Sequence, residues 1–423
     1  MSKQEKIKTA IIGYGQRGAD PYGVAIKENA DKIELVAIVD ADPVRLSLAK
    51  KEFGDKVRYL NSGEDFLSEI RCADFVIIST QDKEHYSLVV SALKQGYHVL
   101  VEKPISPDPW ECNDIIKQAE QYDRKVFVSH VLRYTPFYSM IKEEILNGTI
   151  GDVVSIQQTE NVEYWHQAHS YVRGNWRKKS DSAPMILAKS CHDLDIILWL
   201  IDRKCEKISS FGSLYHFTEG NAPEGSALRC VDCKIAQSCP YDADDIYISG
   251  RFGYKSGNRG WPLSVLTDRL DDDKEIINAV KTGPYGRCVY HCDNDVVDHQ
   301  VVNMEFEGGA TASFTMCAFT SAGGRTIKVM GTMGDITADM SANTITIQPF
   351  RGEKKFIDIA KLGLDLSGHA GGDKRLVLDI VDILQDPDNK KVGLTSIEYS
   401  VQSHNMAFAA EESRLNGGTA VEI

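Results

Sequence analysis

Lys103 combines a reactive side chain with a telling position. It stands in Glu102-Lys103-Pro104, directly after the apolar run Tyr97-His98-Val99-Leu100-Val101. A lysine at a strand end, pinned by a proline, can polarise a carbonyl or share a hydroxyl proton during hydride transfer. Upstream, Gly13-Tyr14-Gly15-Gln16-Arg17-Gly18 follows the β-branched run at 7–12. In this G-x-G-x-x-G spacing the first glycine permits a tight turn. The second lets a pyrophosphate approach the backbone, and the third lets helix pack on strand. Asp40 closes the next apolar run, 40 − 18 = 22 residues after Gly18. A carboxylate there takes the ribose hydroxyls of NAD and repels the extra phosphate of NADP.

The elements that must position these groups follow from the apolar pattern. Runs at 7–12, 33–39, 73–80, 97–101 and 126–128 read as buried parallel strands, with helices at 84–95 and 109–123 between them. Alternating strands and helices on short links predict a doubly wound parallel sheet over residues 1–130. Ligands of such sheets sit beyond the carboxyl ends of the strands. Ser79-Thr80-Gln81, Glu102-Lys103 and His130–Arg133 fall there. Asp20-Pro21 reads as an N-cap with proline at the first helical position, so the first helix starts late.

Past residue 130 the pattern changes to α+β. Alternating strands near 153–158, 302–306, 310–316 and 325–330 predict a mainly antiparallel sheet with one open face, in a domain spanning 131–423. Residues 160–178, with Trp165, His166, His169, Arg173, Trp176 and Arg177, carry flat apolar faces and directional donors suited to gripping a sugar. An apolar face at 194, 197, 198 and 201 marks a helix, with His192 near its start. Helices at 374–385, ending before Pro387, and at 396–415 close the chain. Residues 220–295 read as an insertion of low periodicity. Five of the ten cysteines lie in it, Cys230, Cys233, Cys239, Cys288 and Cys292. A structural zinc on Cys230, Cys233, Cys239 and Cys292, with Cys288 as substitute, would staple a loop too polar to pack itself.

The glycine fingerprint, the heptapeptide STQDKEH at 79–85 and the tripeptide EKP at 102–104 resemble the glucose-fructose oxidoreductase / inositol dehydrogenase / rhizopine-catabolism (Gfo/Idh/MocA) family over nearly the whole chain. The resemblance implies NAD(P) binding through Gly13, Gly15, Arg17, Asp40, Thr80, His85, Glu102 and Lys103. Gln16, Gly18, Ser79, Gln81 and Arg177 are further candidates on the cofactor side. It also implies that Lys103 is catalytic and that His192 is a second acid/base residue. The open sheet would cover the nicotinamide site, carry the substrate and form the contact of a homo-oligomer, dimer or tetramer. Arg133, Tyr134, His166, His169, Trp176 and Asp195 are the candidates for the substrate. One departure stands out. Family members usually carry Asp four residues before the histidine; here that residue is Ala188, followed by Lys189. Losing the carboxylate and adding a cation changes the acid/base setting. Lys189 would hold or polarise a second substrate oxygen.

Composition narrows the function classes. The 423 residues carry 48 Lys plus Arg against 61 Asp plus Glu, a net charge of −13. Mean hydropathy is −0.27 and the pI is about 5.4. An acidic chain without a basic track disfavours nucleic acid and anionic membranes. No run approaches the ~20 apolar residues of a membrane span. The first ten residues have no apolar h-region, so a cytoplasmic protein with reduced thiols is expected. These features predict an NAD-dependent oxidoreductase acting on a sugar, polyol or glycoside hydroxyl. A second reading keeps NAD bound and cleaves a glycoside by transient oxidation and elimination. A third is a non-catalytic NAD and sugar sensor.

Overall fold

The computed structural model describes residues 5–385 and 392–423; Pro387 lies outside them. Six strands, β1 (Ile7–Ile12), β2 (Ile33–Val39), β3 (Arg58–Leu60), β4 (Phe75–Ile78), β5 (His98–Val101) and β6 (Val126–Val128), form one sheet. Its order is β3-β2-β1-β4-β5-β6 and every pairing is parallel. Because both faces are covered, these strands are apolar throughout rather than alternating. Ala10, Ile12, Val76, Ile78, Val99 and Val101 pack on one side. Ile11, Ile38, Ile77, Leu100 and Phe127 pack on the other. The chain order reverses between β1 and β4, which opens a crevice at their carboxyl ends.

The crossover helices are set by local chemistry. Helix Pro109–Tyr122 starts with proline at N1, and Asp108 accepts from the N–H groups of Trp110 and Glu111. The first crossover differs from expectation. Asp20 is not an N-cap: helical backbone begins at Gln16, and Gly18–Gly23 is a widened π turn with Pro21 inside it, before helix Val24–Glu28. Pro21 has no N–H to give an ordinary turn, and the wider turn tolerates that loss.

The second sheet has nine strands. They are β7 (Val153–Glu163), β8 (Cys205–Ser213), β9 (His299–Phe306), β10 (Thr311–Thr320), β11 (Gly324–Gly331), β12 (Gly334–Asp339), β13 (Thr344–Pro349), β14 (Lys355–Asp358) and β15 (Val421–Glu422). The order is β14-β13-β12-β11-β7-β10-β9-β8-β15, antiparallel except for β7 with β10. Val302, Met304 and Phe306 point inward while Val301, Asn303 and Glu305 are exposed, so the other face is open. The inner face packs on helix Cys191–Ile201. Helix Ile397–Leu415 spans both layers: Ile397 and Val401 join the first domain's core, Met406 and Ala410 the second's.

Residues 220–295 are not too polar to pack. They hold short 3-10 turns and helix Asp273–Thr282 around a core of Ile246, Tyr247, Leu263, Ile276, Val280 and Tyr285, with Trp165 contributed from 160–178. Segment 160–178 is itself ordered: β7 runs to Glu163, then come helix Tyr164–Gln167 and a wide turn, Ala168–Arg173. Among the described residues no helix is long and apolar enough to cross a membrane.

Candidate active site

At the carboxyl edge of the first sheet the glycines are where side chains would collide. Gly13 has φ +92°, and a Cβ there would stand 2.6 Å from the Ser79 carbonyl oxygen. A Cβ on Gly18 would meet the Gly13 carbonyl oxygen at 2.1 Å. Ser79 Oγ donates to that same carbonyl at 2.7 Å and ties the loop to β4. Gly15 instead faces open space apart from Arg45 Nη1, 3.4 Å from its would-be Cβ. Asp40 is buried at the end of β2 and accepts from the Tyr14 and Asp42 N–H groups at 2.6 and 2.8 Å. Thr80 Oγ1 is buried and has no hydrogen bond among the described residues. An uncovered glycine, an orphaned hydroxyl and an acidic strand end fit a dinucleotide. Gln16 and Gln81 lie exposed beside it.

Lys103 is held from below. His85 is buried with Nδ1 2.8 Å from the Pro104 carbonyl oxygen and Nε2 3.2 Å from that of Thr80. Glu102 is enclosed by Arg17 Nε at 2.6 Å, Tyr22 Oη at 2.5 Å and Ser129 Oγ at 3.1 Å. Burial pushes its carboxyl up, but Arg17 and Lys103 outweigh this and hold it below the usual range. Arg17 also pairs with Asp373 at 2.9 Å, so its guanidinium is spent on the brace. Lys103 Nζ donates to the Ala188 carbonyl oxygen at 3.2 Å, across the domain boundary. The residue that departs from the family pattern thus meets the amine through its backbone.

The second domain supplies the opposing wall. His192 is buried and makes no hydrogen bond at Nδ1 among the described residues. Burial, with Lys103 and His130 next, pushes its imidazolium well below the ordinary histidine range, so the ring is neutral at neutral pH. His130 stands between the His192 and His404 rings, at centroid distances of 5.7 and 5.5 Å. Burial lowers His130 to about 4 and His404 to about 3. Lys189 Nζ lies 3.2 Å from Glu160 Oε1, and Arg325 Nη2 lies 2.5 Å from Glu160 Oε2. Arg325 also donates to both oxygens of Asp193, at 2.8 and 3.1 Å, and Gln158 donates to the same carboxylate at 2.7 Å. Burial pushes the Glu160 carboxyl up against the pull of Arg325 and Lys189.

Other candidates are engaged elsewhere. Arg133 makes a two-pronged pair with Asp195 at 2.8 and 2.7 Å, both residues buried. Tyr134 donates to Asp379 at 2.9 Å. His169 stacks on Tyr285 and bonds Tyr247 inside the insertion's core. Arg177 grips Asp293 at 2.8 Å rather than facing the glycine loop. Trp176 is half-buried beside Tyr171, and His166 packs between Trp165, Tyr171 and Trp261. Lys189 follows burial among the influences that lower the His166 imidazole, so this ring lies on the Lys189 side.

The cysteines expected to hold zinc are not drawn together into one site among the described residues. No group of three or more His, Cys, Asp or Glu among the described residues is placed to hold a metal. Cys230, Cys233, Cys239, Cys288 and Cys292 are free thiols. Cys230 Sγ lies 3.5 Å from the buried Arg173 guanidinium, while Cys292 packs on the Cys288 carbonyl.

Glu160, Asp193 and Arg325 were not singled out from the sequence. Their signal lies in strand register: Arg325 on β11 is the cross-strand partner of Glu160 on β7.

Comparison with known proteins agrees with this architecture. Residues 7–130 match the Gfo/Idh/MocA model described as oxidoreductase family, NAD-binding Rossmann fold. Residues 142–423 match the companion model, oxidoreductase family, C-terminal alpha/beta domain. The protein YteT of Bacillus subtilis (strain 168) is 26% identical over 367 residues, 82% of each chain. Inositol 2-dehydrogenase/D-chiro-inositol 3-dehydrogenase of Lactiplantibacillus plantarum is 25% identical over 212 residues, 50% of this chain and 57% of that one. Among solved structures, the WlbA dehydrogenase of Bordetella pertussis, in complex with NADH and UDP-GlcNAcA, superposes with a TM-score of 0.70 at 16% identity, covering 100% of this chain and 99% of that one. An Agrobacterium radiobacter oxidoreductase in complex with NAD+, L-tartaric acid and magnesium gives the same score and identity over 99% and 98%. With both family models matched across two consecutive domains, the chain belongs to the Gfo/Idh/MocA family of NAD(P)-dependent oxidoreductases.

Proposed function

We propose that this protein is an NAD-dependent dehydrogenase that oxidises a hydroxyl of a sugar, polyol or glycoside, or reduces the matching carbonyl. The observation that carries the reading is Lys103: its amine spans the gap between the glycine-loop domain and the Ala188 carbonyl, beside a neutral His192. Bound NAD would supply the hydride acceptor at that gap.

The chain's own groups divide the remaining work. Gly13, Gly15 and Gly18 would admit the pyrophosphate, Asp40 the adenosine ribose, and Thr80 the nicotinamide half. Arg17, Glu102 and His85 keep the Lys103 turn in place. Lys103 donates to the substrate oxygen and offsets the negative charge that develops as its proton leaves. His192 takes that proton at Nδ1, which has no hydrogen bond among the described residues. Lys189, steadied by Glu160, holds a second oxygen of a polyhydroxylated ring. Trp176 and His166 give that ring an apolar wall. The inositol dehydrogenases and the sugar-nucleotide complex among the similar proteins support this substrate class.

A panel of monosaccharides, polyols and glycosides, followed by absorbance of reduced cofactor with product analysis alongside, tests the reading. Stoichiometric cofactor reduction with a carbonyl product is expected. Glycosidic cleavage without reduced cofactor would replace this reading with oxidation-elimination on retained NAD.

A further inference from the structure

A charged triad stands at the mouth of the glycine loop. Arg45 Nη1 lies 3.9 Å from Asp40 Oδ2, and Arg45 Nε lies 3.5 Å from Asp268 Oδ1. The guanidinium overlies Gly15, with Nη1 3.4 Å from that residue's would-be Cβ. Asp40 and Arg45 belong to the dinucleotide domain. Asp268 belongs to the 220–295 insertion of the second domain. It is fixed on both sides, since Leu266 and Leu270 pack against the cluster of Leu263, Ile276 and Tyr247. A second-domain carboxylate therefore reaches the place where the adenosine half of a dinucleotide enters.

The charges point in one direction. An arginine beside the ribose is the group that pairs with the 2′-phosphate of NADP, through a fork matched to phosphate oxygens. Here that fork is held between two carboxylates, so the triad carries +1 − 2 = −1. A 2′-phosphate brings about −1.5 to −2 more charge at neutral pH. We propose that Asp268 is a positioning residue for cofactor selectivity: by holding Arg45 against Asp40 it lets the insertion refuse a 2′-phosphorylated dinucleotide. This rests on the NAD reading above and adds a determinant outside the Rossmann domain.

The test is equilibrium binding of NAD+ and of NADP+ to the full chain, followed by calorimetry at fixed salt. Wild-type protein should bind NAD+ more tightly. Asp268→Asn should tighten NADP+ by roughly tenfold relative to NAD+, because Arg45 is released to the phosphate. Asp268→Glu should restore the wild-type ratio. Arg45→Ala on the Asp268→Asn background should abolish the gain, which a merely structural role for Asp268 would not produce. Both side chains are partly exposed, at 31% and 40%, so folding is expected to survive. An unchanged ratio in Asp268→Asn, while Asp40→Ser narrows it, overturns this inference and leaves the NAD reading standing. Tighter binding of NADP+ by the wild type overturns both.

Discussion

The Lys103 amine meets a backbone carbonyl, not a carboxylate, in the second domain. On the proposed function, that leaves its N–H groups free to reach the substrate oxygen. Lys103→Ala should lower kcat by about 10²–10⁴-fold, the range for a positioned proton-transfer group. The binding of NAD should change far less, and titration calorimetry on the same sample checks it. The His192 imidazolium is destabilised by burial and by Lys103, so the neutral base persists below pH 6.5. The acid limb of kcat/KM for oxidation should fall below pH 6.5. A limb centred at or above that value, lost in His192→Gln, would contradict the assignment. The glycine turn and the strand ends carrying Asp40 and Lys103 were legible in the sequence, because a local motif or an apolar run marks each. Glu160, Asp193 and Arg325 were not, because 160 and 325 become neighbours only through the β7–β11 register.

At the scale of elements, helix Cys191–Ile201 does two jobs at once. Its first turn carries the buried His192, and Asp195, one turn on, anchors Arg133 just after β6. The helix was readable from its apolar spacing, yet the same spacing gave no sign that Asp195 faces an arginine. Arg133 and Asp195, expected as substrate contacts, are paired with each other and buried. Removing one partner of a buried pair strands the other charge and costs about 3–5 kcal/mol. Asp195→Asn should therefore lower Tm sharply in calorimetry while leaving KM of the folded protein near the wild-type value. A raised KM at unchanged Tm would return Asp195 to the substrate. The packing of 220–295 was missed for a related reason: Leu263, Ile276 and Tyr285 are separated in sequence but converge with Trp165. Burial there comes from contacts distant in sequence, which periodicity does not register.

At the scale of the whole molecule, several imidazoles are wholly or partly removed from water. His98, His130, His169 and His404 are all lowered by burial, to about 4, 4, 3 and 3. In the unfolded chain they titrate near 6.5. Between those values the unfolded state binds more protons, so stability is full above pH 6.5 and declines on acidification towards pH 4. Tm should fall steadily from pH 7 to pH 5, and replacing His404 with Gln should flatten part of that slope. The two-sheet architecture was legible at this scale, since parallel strands read as unbroken apolar runs and the second sheet as alternation. The crossing of helix Ile397–Leu415 between both cores was not. Its role in uniting the layers depends on packing alone.

On the proposed function, the Lys103 amine acts where hydride passes from substrate to NAD. The most direct measurement is single-turnover reduction of NAD by the best substrate of the carbohydrate panel, in wild-type protein and in Lys103→Ala saturated with cofactor. Rapid reduction is expected in the wild type and a rate lower by at least about 10²-fold in the variant. Equal rates in the two proteins would contradict this role of Lys103.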